Sequence, residues 1–377
     1  MQFGRELRAL WGLDPDATYL NHGAFGAAPL EVLAAQRVWR DRMERQPFRY
    51  FVDELAELTR EAAGRLAAYC GASGEDLVFV PNATTAINSV LRSLEFAPGD
   101  RIVVLEHVYV GIGHSVEYVC SRTGAVMDKV PLPCPPESDF LSRLGERLVG
   151  ARLAILDHIT SATGLLLPIE EMVRLCRERG VPVLVDGAHA PGQVPLELAA
   201  LGATWYTGNA HKWLCAPKGC AFLWASQQGQ VGLHPAVISN GYGRGFHAEF
   251  DYTGTSDTTA HLSIHACLDF RARLGDAAIR EHNTALAKEG RRLLLDALET
   301  QGAGAEAHVG SLATIRLPMG EPTMAAAQRL SRRIWEGDRI EVPIFAHAGH
   351  LWLRISAQIY NERDEYLKLA QLLSRMR

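Results

Sequence analysis

Val181-Pro182-Val183-Leu184-Val185-Asp186 and, one short helical interval further on, Thr207-Gly208-Asn209-Ala210-His211-Lys212-Trp213-Leu214 decide how this chain is read. The first is a continuous apolar run closed by an acid, the pattern of a strand buried on both faces of a parallel sheet. The second sets a lysine among Trp205, Tyr206, Trp213 and Leu214. A lone lysine is ordinarily a solvated surface charge, and a lone aspartate after a strand ordinarily caps a helix. Surroundings this apolar desolvate an ammonium and lower its pKa, which makes Lys212 a candidate reactive amine and Asp186 its acidic counterpart.

Outward from this pair, strand and helix patterns alternate. Strands are expected at Asp76–Val80, Ile102–Leu105, Val126–Val130, Leu153–Leu156, Val181–Val185, Trp205–Gly208 and Cys220–Trp224, with helices at Glu54–Cys70, Gly111–Arg122, Phe140–Val149 and Ile169–Arg179. That order predicts an α/β domain with a mostly parallel sheet, in which ligands gather at the carboxyl ends of the strands. A helix over Met1–Leu13 and another from Pro29 past Trp39 precede it. Downstream, a glycine-rich stretch, Ser239–Gly245, reads as a mobile loop, and Thr258–Thr300 as one long helical region. Strands at Val309–Leu317, Arg339–Phe345 and His350–Ser356 flank a helix at Met324–Trp335, and a helix from Glu362 to Ser374 closes a smaller α+β domain. The expected division is 1–20, an N-terminal helix packing with the small domain; 21–262, the large domain; and 263–377, the small C-terminal domain.

Composition narrows the class. With 377 residues, 47% hydrophobic, the chain buries a large core, and a net charge of −5 without a basic tract argues against nucleic acid as a partner. No run approaches the ~18 apolar residues of a membrane helix, and the N-terminus carries no cleavable leader pattern, so a cytoplasmic protein is expected. The seven cysteines are scattered without a C-x-x-C pair and read as reduced thiols. Among 14 histidines, His261 and His265 share helical spacing but lack a third ligand, so no metal site is expected.

The strand ends converge on one ligand. Pro81-Asn82-Ala83-Thr84-Thr85 opens a helix whose free N–H groups suit a phosphate. Glu106-His107-Val108-Tyr109 offers flat side chains for a planar ring. Asp157-His158-Ile159-Thr160-Ser161-Ala162-Thr163-Gly164 offers hydroxyls, and Asp186-Gly187-Ala188-His189 an acid and an imidazole. Each segment alone also has a plain reading as a cap or a satisfied core residue. Together with Lys212 they suit pyridoxal 5'-phosphate, which needs an amine for its aldehyde and an acid to keep its pyridine nitrogen protonated. The absence of a Walker-type or G-x-G-x-x-G run in the phosphate segment makes a nucleotide the poorer match.

Over nearly its whole length the chain resembles fold-type I pyridoxal-phosphate enzymes of the class V aminotransferase family, in its isopenicillin N epimerase-like branch. The resemblance rests on Tyr19-Leu20-Asn21-His22-Gly23, Asn82-Ala83-Thr84, Asp186-Gly187-Ala188-His189, Gly208-Asn209-Ala210-His211-Lys212, Tyr252-Thr253-Gly254-Thr255-Ser256-Asp257 and Leu353-Arg354-Ile355-Ser356-Ala357-Gln358-Ile359-Tyr360-Asn361. It implies Lys212 as the Schiff-base lysine, Asp186 as the partner of the ring nitrogen, and His107 as the ring-stacking group with Tyr109 as a substitute. It implies Ser161 and His189 near the phenolic oxygen, with Ala83, Thr84, Asn209 and His211 on the phosphate side. Thr255 would reach the phosphate of a neighbouring subunit in a homodimer. Arg354 would grip the carboxylate of an amino-acid substrate, and Asn21, His22, Arg49, Tyr50 and the loop Ser239–Phe246 would line its pocket.

The resulting expectation is an enzyme acting at the α-carbon of an amino acid, with Lys212 as the base. Epimerisation, transamination and C–S β-elimination stay open. Desulfuration through a persulfide is disfavoured, because the stretch Ile334–Leu353 ahead of Arg354 holds no cysteine. A pyridoxal-phosphate-binding regulator is the non-catalytic alternative, disfavoured by the short N-terminal segment and by the intact Lys212 and Arg354.

Overall fold

The computed structural model describes residues 3–377. Its central sheet has seven strands: β1 (Leu77–Val80), β2 (Arg101–Leu105), β3 (Val126–Val130), β4 (Leu153–Asp157), β5 (Val183–Asp186), β6 (Trp205–Gly208) and β7 (Ala221–Ala225), in the order β1-β7-β6-β5-β4-β2-β3. Only β7 runs against its neighbours. The β2, β4, β5, β6 series is parallel and, apart from Arg101 at the start of β2, buried throughout, as the unbroken Val/Ile/Leu runs require. The chain thus has the α/β fold of fold-type I enzymes. Pro182 delays β5 relative to the expected start at Val181, since it has no amide to donate; its carbonyl still accepts from Ala154 N at 3.0 Å.

Two helices matter for the site: α1 (Ala83–Ser93) after β1 and α2 (Val110–Thr123) after β2. A second sheet, antiparallel, contains β8 (Leu312–Leu317), β9 (Ile344–His347) and β10 (His350–Ser356) in the order β9-β10-β8. Helices α3 (Asp276–Leu298), α4 (Met324–Asp338) and α5 (Arg363–Met376) cover it, and α5 is started by a reciprocal capping box between Glu362 and Glu365. Arg354 on β10 is in register with Thr314 on β8.

Several expected elements differ. The single strand Arg339–Phe345 is interrupted at Val342-Pro343: Ile340–Glu341 pairs with Thr18–Tyr19 in a two-residue ladder, and β9 begins only after the proline. The region Thr258–Thr300 is broken into Thr259–Leu262, Ile264–Leu274 and α3, the last break at Gly275 with φ +84°. The expected helix at Met1–Leu13 is a short 3-10 turn over Arg5–Leu10, with Met1 and Gln2 outside the described residues. Its flanks bond Gly4 N to Ile359 O at 2.8 Å, while Leu7 and Trp11 enter the core of the central sheet. Ser239–Gly245 is not an open loop: Gly241 lies against the Ala248 carbonyl and Gly243 N donates to Glu249 at 3.2 Å.

Candidate active site

A cavity of about 570 Å³ opens at the carboxyl ends of β1, β2, β4, β5 and β6 and is closed on one side by Arg354 from β10. At one end lies the start of α1. Asn82 caps it, its Oδ1 accepting from Thr85 N at 2.9 Å, and Asn209 Oδ1 accepts from Ala83 N at 2.9 Å. Thr84 and His211 stand beside this helix start on the wall. His211 donates through Nδ1 to Cys220 O at 3.0 Å, and burial with the nearby Lys212 holds it down to about 4, so it stays neutral at pH 7.

At the other end Lys212 Nζ donates to His189 Nε2 at 3.0 Å. Burial, and next the Arg354 guanidinium, push the lysine from 10.5 down to about 7, against the opposing pull of Asp186. His189 is driven well below its usual range by burial and the same cations. Asp186 is also buried, which raises it; the Ala188 amide, donating to Oδ1 at 2.9 Å, and Lys212 work the other way. Asp157, opposite Asp186 in the β4–β5 register, is raised well above the carboxylate range by burial and by the Asp186 charge. Both carboxyls of the pair are therefore raised by burial, Asp157 also by its partner's charge, while the Ala188 amide and Lys212 favour the charged form of Asp186.

The lysine loop is held from behind. His22 donates from Nε2 to Lys212 O at 3.1 Å and accepts at Nδ1 from Tyr360 OH at 2.9 Å. Gly26, with φ +71°, approaches so closely that a Cβ there would sit 2.1 Å from His211 O.

Of the residues singled out in the sequence, Ala83, Thr84, Tyr109, Ser161, Asp186, His189, Asn209, His211, Lys212 and Arg354 line this one cavity. His107 does not. Its ring turns away to Thr163, Cys134 and His347, and Tyr109, 47% exposed at the N-terminus of α2, occupies the wall instead. Asn21 faces Glu341 at 3.5 Å and lines a separate surface cleft with Ile340 and Trp335. His22, expected on the substrate side, is a buried support of Lys212, while its neighbours Gly23, Ala24 and Phe25 reach the cavity. Tyr50 is buried against Thr258, its OH 3.0 Å from Oγ1, and Arg49 and the segment 239–246 are likewise outside the lining. Thr255 is exposed, its Oγ1 3.0 Å from Tyr252 OH, and it is outside the lining of this cavity within one chain.

Asp157 and Lys218 were not singled out. Asp157 stood at the head of the quoted strand-end run, where an acid following an apolar strand repeats the pattern of Asp186; that parallel was the available signal. Lys218 carried none, because only the turn after Lys212 brings it to the wall.

The cavity has unmet polar demand. Arg354 Nε and His189 Nδ1 are buried without partners among the described residues, although Arg354 also bonds the Ser161 carbonyl through Nη1. Three basic side chains, Lys212, Lys218 and Arg354, with a helix start and an acid pair match a ligand carrying a phosphate, a carbonyl and a basic ring nitrogen.

Comparison with known proteins agrees with this arrangement. The family described as aminotransferase class-V matches residues 18–369. The chain belongs to the class-V aminotransferase family. Among its relatives are a probable chloroplastic L-cysteine desulfhydrase of Arabidopsis thaliana, 34% identical over 96% of this chain and 83% of that protein, and the isopenicillin N epimerase of Amycolatopsis lactamdurans, 34% identical over 97% and 96%. The fold matches that of the cystine C–S lyase C-DES in complex with cysteine persulfide, TM-score 0.84 at 22% identity, covering 96% of this chain and 98% of that one. It also matches a cysteine desulfurase of Thermococcus onnurineus NA1, TM-score 0.83 at 18% identity, covering 100% and 98%. Membership of the class-V family makes the chain an enzyme whose cofactor is pyridoxal phosphate, and the residues lining the cavity fit that group.

Proposed function

We propose that this class-V enzyme removes the α-proton of a compact α-amino acid and expels a sulfur substituent from the β-carbon, as a C–S lyase. The observation that carries the α-proton step is Lys212, an amine held near pH 7, 3.0 Å from neutral His189 and in the same cavity as Arg354. In this reading Lys212 holds the cofactor and then takes the proton, since an amine with pKa about 7 is half unprotonated at neutral pH. Asp186 faces the ring nitrogen, the start of α1 with Ala83, Thr84, Asn209 and His211 holds the phosphate, Ser161 and His189 flank the phenolic oxygen, and Tyr109 covers the ring. Arg354 grips the substrate carboxylate with a planar fork that a lysine lacks. Pyridoxal phosphate, when bound, supplies an aldehyde for the amine and a protonated ring that takes up the electrons left when a bond to the α-carbon breaks.

The choice of β-elimination is supported by the relatives named L-cysteine desulfhydrases and by the thiols of this chain. Among the described residues none of the seven cysteines lines the cavity, so sulfur would leave to solvent and not onto a protein thiol. With L-cysteine the balance is cysteine plus water giving pyruvate, ammonia and sulfide. Epimerisation is the second reading, favoured by Tyr109, a phenol on the wall able to carry a second proton.

The test is to incubate the holoenzyme with L-cysteine and measure all three products, in parallel with single-enantiomer amino acids in heavy water. Equimolar sulfide, pyruvate and ammonia support elimination. Deuterated, inverted amino acid without sulfide would replace it with epimerisation, and accumulation of aminated cofactor with it transamination. Protein that binds the cofactor but exchanges no α-proton would point to a regulatory module.

A homodimer with Thr255 completing the partner's phosphate site is part of the same proposal. Phe25, 71% exposed although it lines the cavity, supports a covered seam there. Thr255→Ala should weaken cofactor retention without touching Lys212, and a monomer by sedimentation would refute the shared site. The division at 1–20, 21–262 and 263–377 is likewise proposed, supported by a separate core of Leu286, Leu294, Ile315, Leu353 and Tyr366 under the second sheet. Reduced cysteines suit the reducing cytoplasm.

A further inference from the structure

His107, Cys134 and His347 meet at the rim of the central sheet, just outside the cavity. His107 follows β2, Cys134 follows β3, and His347 ends β9. His107 Nε2 lies 3.0 Å from His347 Nε2 and 3.8 Å from Cys134 Sγ, and all three ligand atoms are within 4.8 Å of one another. We propose that these three side chains form a site for a borderline-soft divalent cation of the zinc class.

The distances carry the proposal. A tetrahedral zinc ion with Zn–N of ~2.0–2.1 Å and Zn–S of ~2.3 Å sets two nitrogens about 3.3 Å apart and a nitrogen and sulfur about 3.6 Å apart. The His107 separations differ from these by only a few tenths of an ångström, within the reach of small χ rotations. The outer shell is also built. Thr163 Oγ1 lies 2.9 Å from His107 Nδ1 and 2.7 Å from Thr160 Oγ1, so a hydroxyl pair stands ready to accept the Nδ1 proton of the tautomer whose Nε2 lone pair faces the cluster. Trp352 Nε1 donates to His347 O at 3.0 Å, holding the turn between β9 and β10. The carboxylate of Glu106, beside His107 in sequence, accepts from Leu132 N at 3.0 Å, tying the strand end that carries His107 to the segment that leads to Cys134. Cys134 and His347 are half-buried, which gives an ion a path in.

An imidazole pair joined by an N–H···N bond would need no sulfur beside it. Two imidazoles and a thiol are the donor set that zinc prefers over calcium or magnesium. On binding, the Cys134 thiol releases its proton to solvent and no redox change occurs. The ion would pin the hairpin that carries Arg354 to the strand end that carries Tyr109, coupling the two halves of the site.

The test uses holoenzyme stripped with a chelator and titrated with Zn²⁺ against a chromogenic competitor. One equivalent per chain is expected in the wild type. In Cys134→Ser and His347→Gln the affinity should fall by more than the ~10- to 100-fold that losing an outer-shell partner costs. Cofactor absorbance should be unchanged in both variants. X-ray absorption of the zinc-loaded enzyme should show one sulfur at ~2.3 Å beside nitrogen ligands. Equal Zn²⁺ affinity in wild type and variants, or a zinc shell without sulfur, would overturn the site. Should either variant fail to fold, alkylation of the wild type decides: Zn²⁺ must shield Cys134 from iodoacetamide, and unshielded Cys134 refutes the proposal.

Discussion

Lys212 should titrate near neutrality in the cofactor-free enzyme. Its folded pKa of about 7 against an ordinary 10.5 corresponds to roughly 5 kcal/mol of disfavour for the ammonium, at 1.36 kcal/mol per pH unit. The sign follows from the direction. A lowered lysine pKa means the neutral amine prevails above about pH 7 and the ammonium below it. At pH 7 about half of the Lys212 side chains would be free amine, compared with about 1 in 3,000 for an ordinary exposed lysine. The assay is the pH dependence of covalent labelling of apoenzyme by a small acylating reagent, with the Lys212 peptide quantified by mass spectrometry. Using the midpoint, and not the absolute rate, removes the effect of basicity on nucleophilicity. Two variants then separate the causes. Arg354→Met removes a cation and should move the midpoint up; Asp186→Asn removes the anion and should move it down. Because burial is the first cause, neither variant should restore 10.5. A wild-type midpoint near 10, or shifts of the opposite sign, would refute the reasoning.

The two aspartates should respond unequally. Asp186→Asn removes the carboxylate favoured by the Ala188 amide and Lys212 and should cost ~10²-fold or more in kcat, whereas Asp157→Asn, at the carboxyl pushed up by burial and by the Asp186 charge, should cost less; equal losses would refute the assignment of Asp186 as the ring-nitrogen partner. Arg354→Lys keeps the charge but loses the fork, and a charge-assisted bond worth about 1.5–3 kcal/mol predicts a ~10- to 100-fold drop in kcat/KM, checked by steady-state kinetics with L-cysteine. Gly26→Ala meets His211 O and adopts an unfavourable φ, so a loss of at least ~1–3 kcal/mol should appear as a lower thermal midpoint; an unchanged midpoint would mean that the Lys212 loop has room to retreat.

What the sequence disclosed was set by range. Strand ends are local objects, so Lys212, Asp186, His189 and the Asn82 cap could be read from a few neighbouring residues, and the apolar runs of β2, β4, β5 and β6 left little freedom for the sheet. His107 shows the opposite case. Its identity and place after β2 were legible, but the direction of its ring is decided by His347, 240 positions away, and by Thr163. His22 was visible as a polar residue beside a glycine, yet its bond to the Lys212 carbonyl joins positions 190 apart. The break at Gly275 was missed for a different reason. The apolar period continues across it, and only the positive φ of the glycine separates the helices.

The charges of the site explain why such burial is tolerated. The chain as a whole is acidic, at −5, but the cavity gathers Lys212, Lys218, Arg354 and the start of α1 around a buried acid pair whose carboxyls are both pushed up by burial. Left alone, this set is electrostatically unsatisfied, as the suppressed lysine and the unpartnered Nε of Arg354 record. A dianionic phosphate at the helix start and a substrate carboxylate at Arg354 are what would balance it. The repulsion that adds to burial in lowering Lys212 is then relieved at the moment the carboxylate arrives, because the Arg354 charge becomes paired. Substrate binding should therefore raise the basicity of the amine at the step where it must accept a proton. Pairing Arg354 with acetate in the apoenzyme should move the Lys212 labelling midpoint upward, and an unmoved midpoint would separate the two residues energetically.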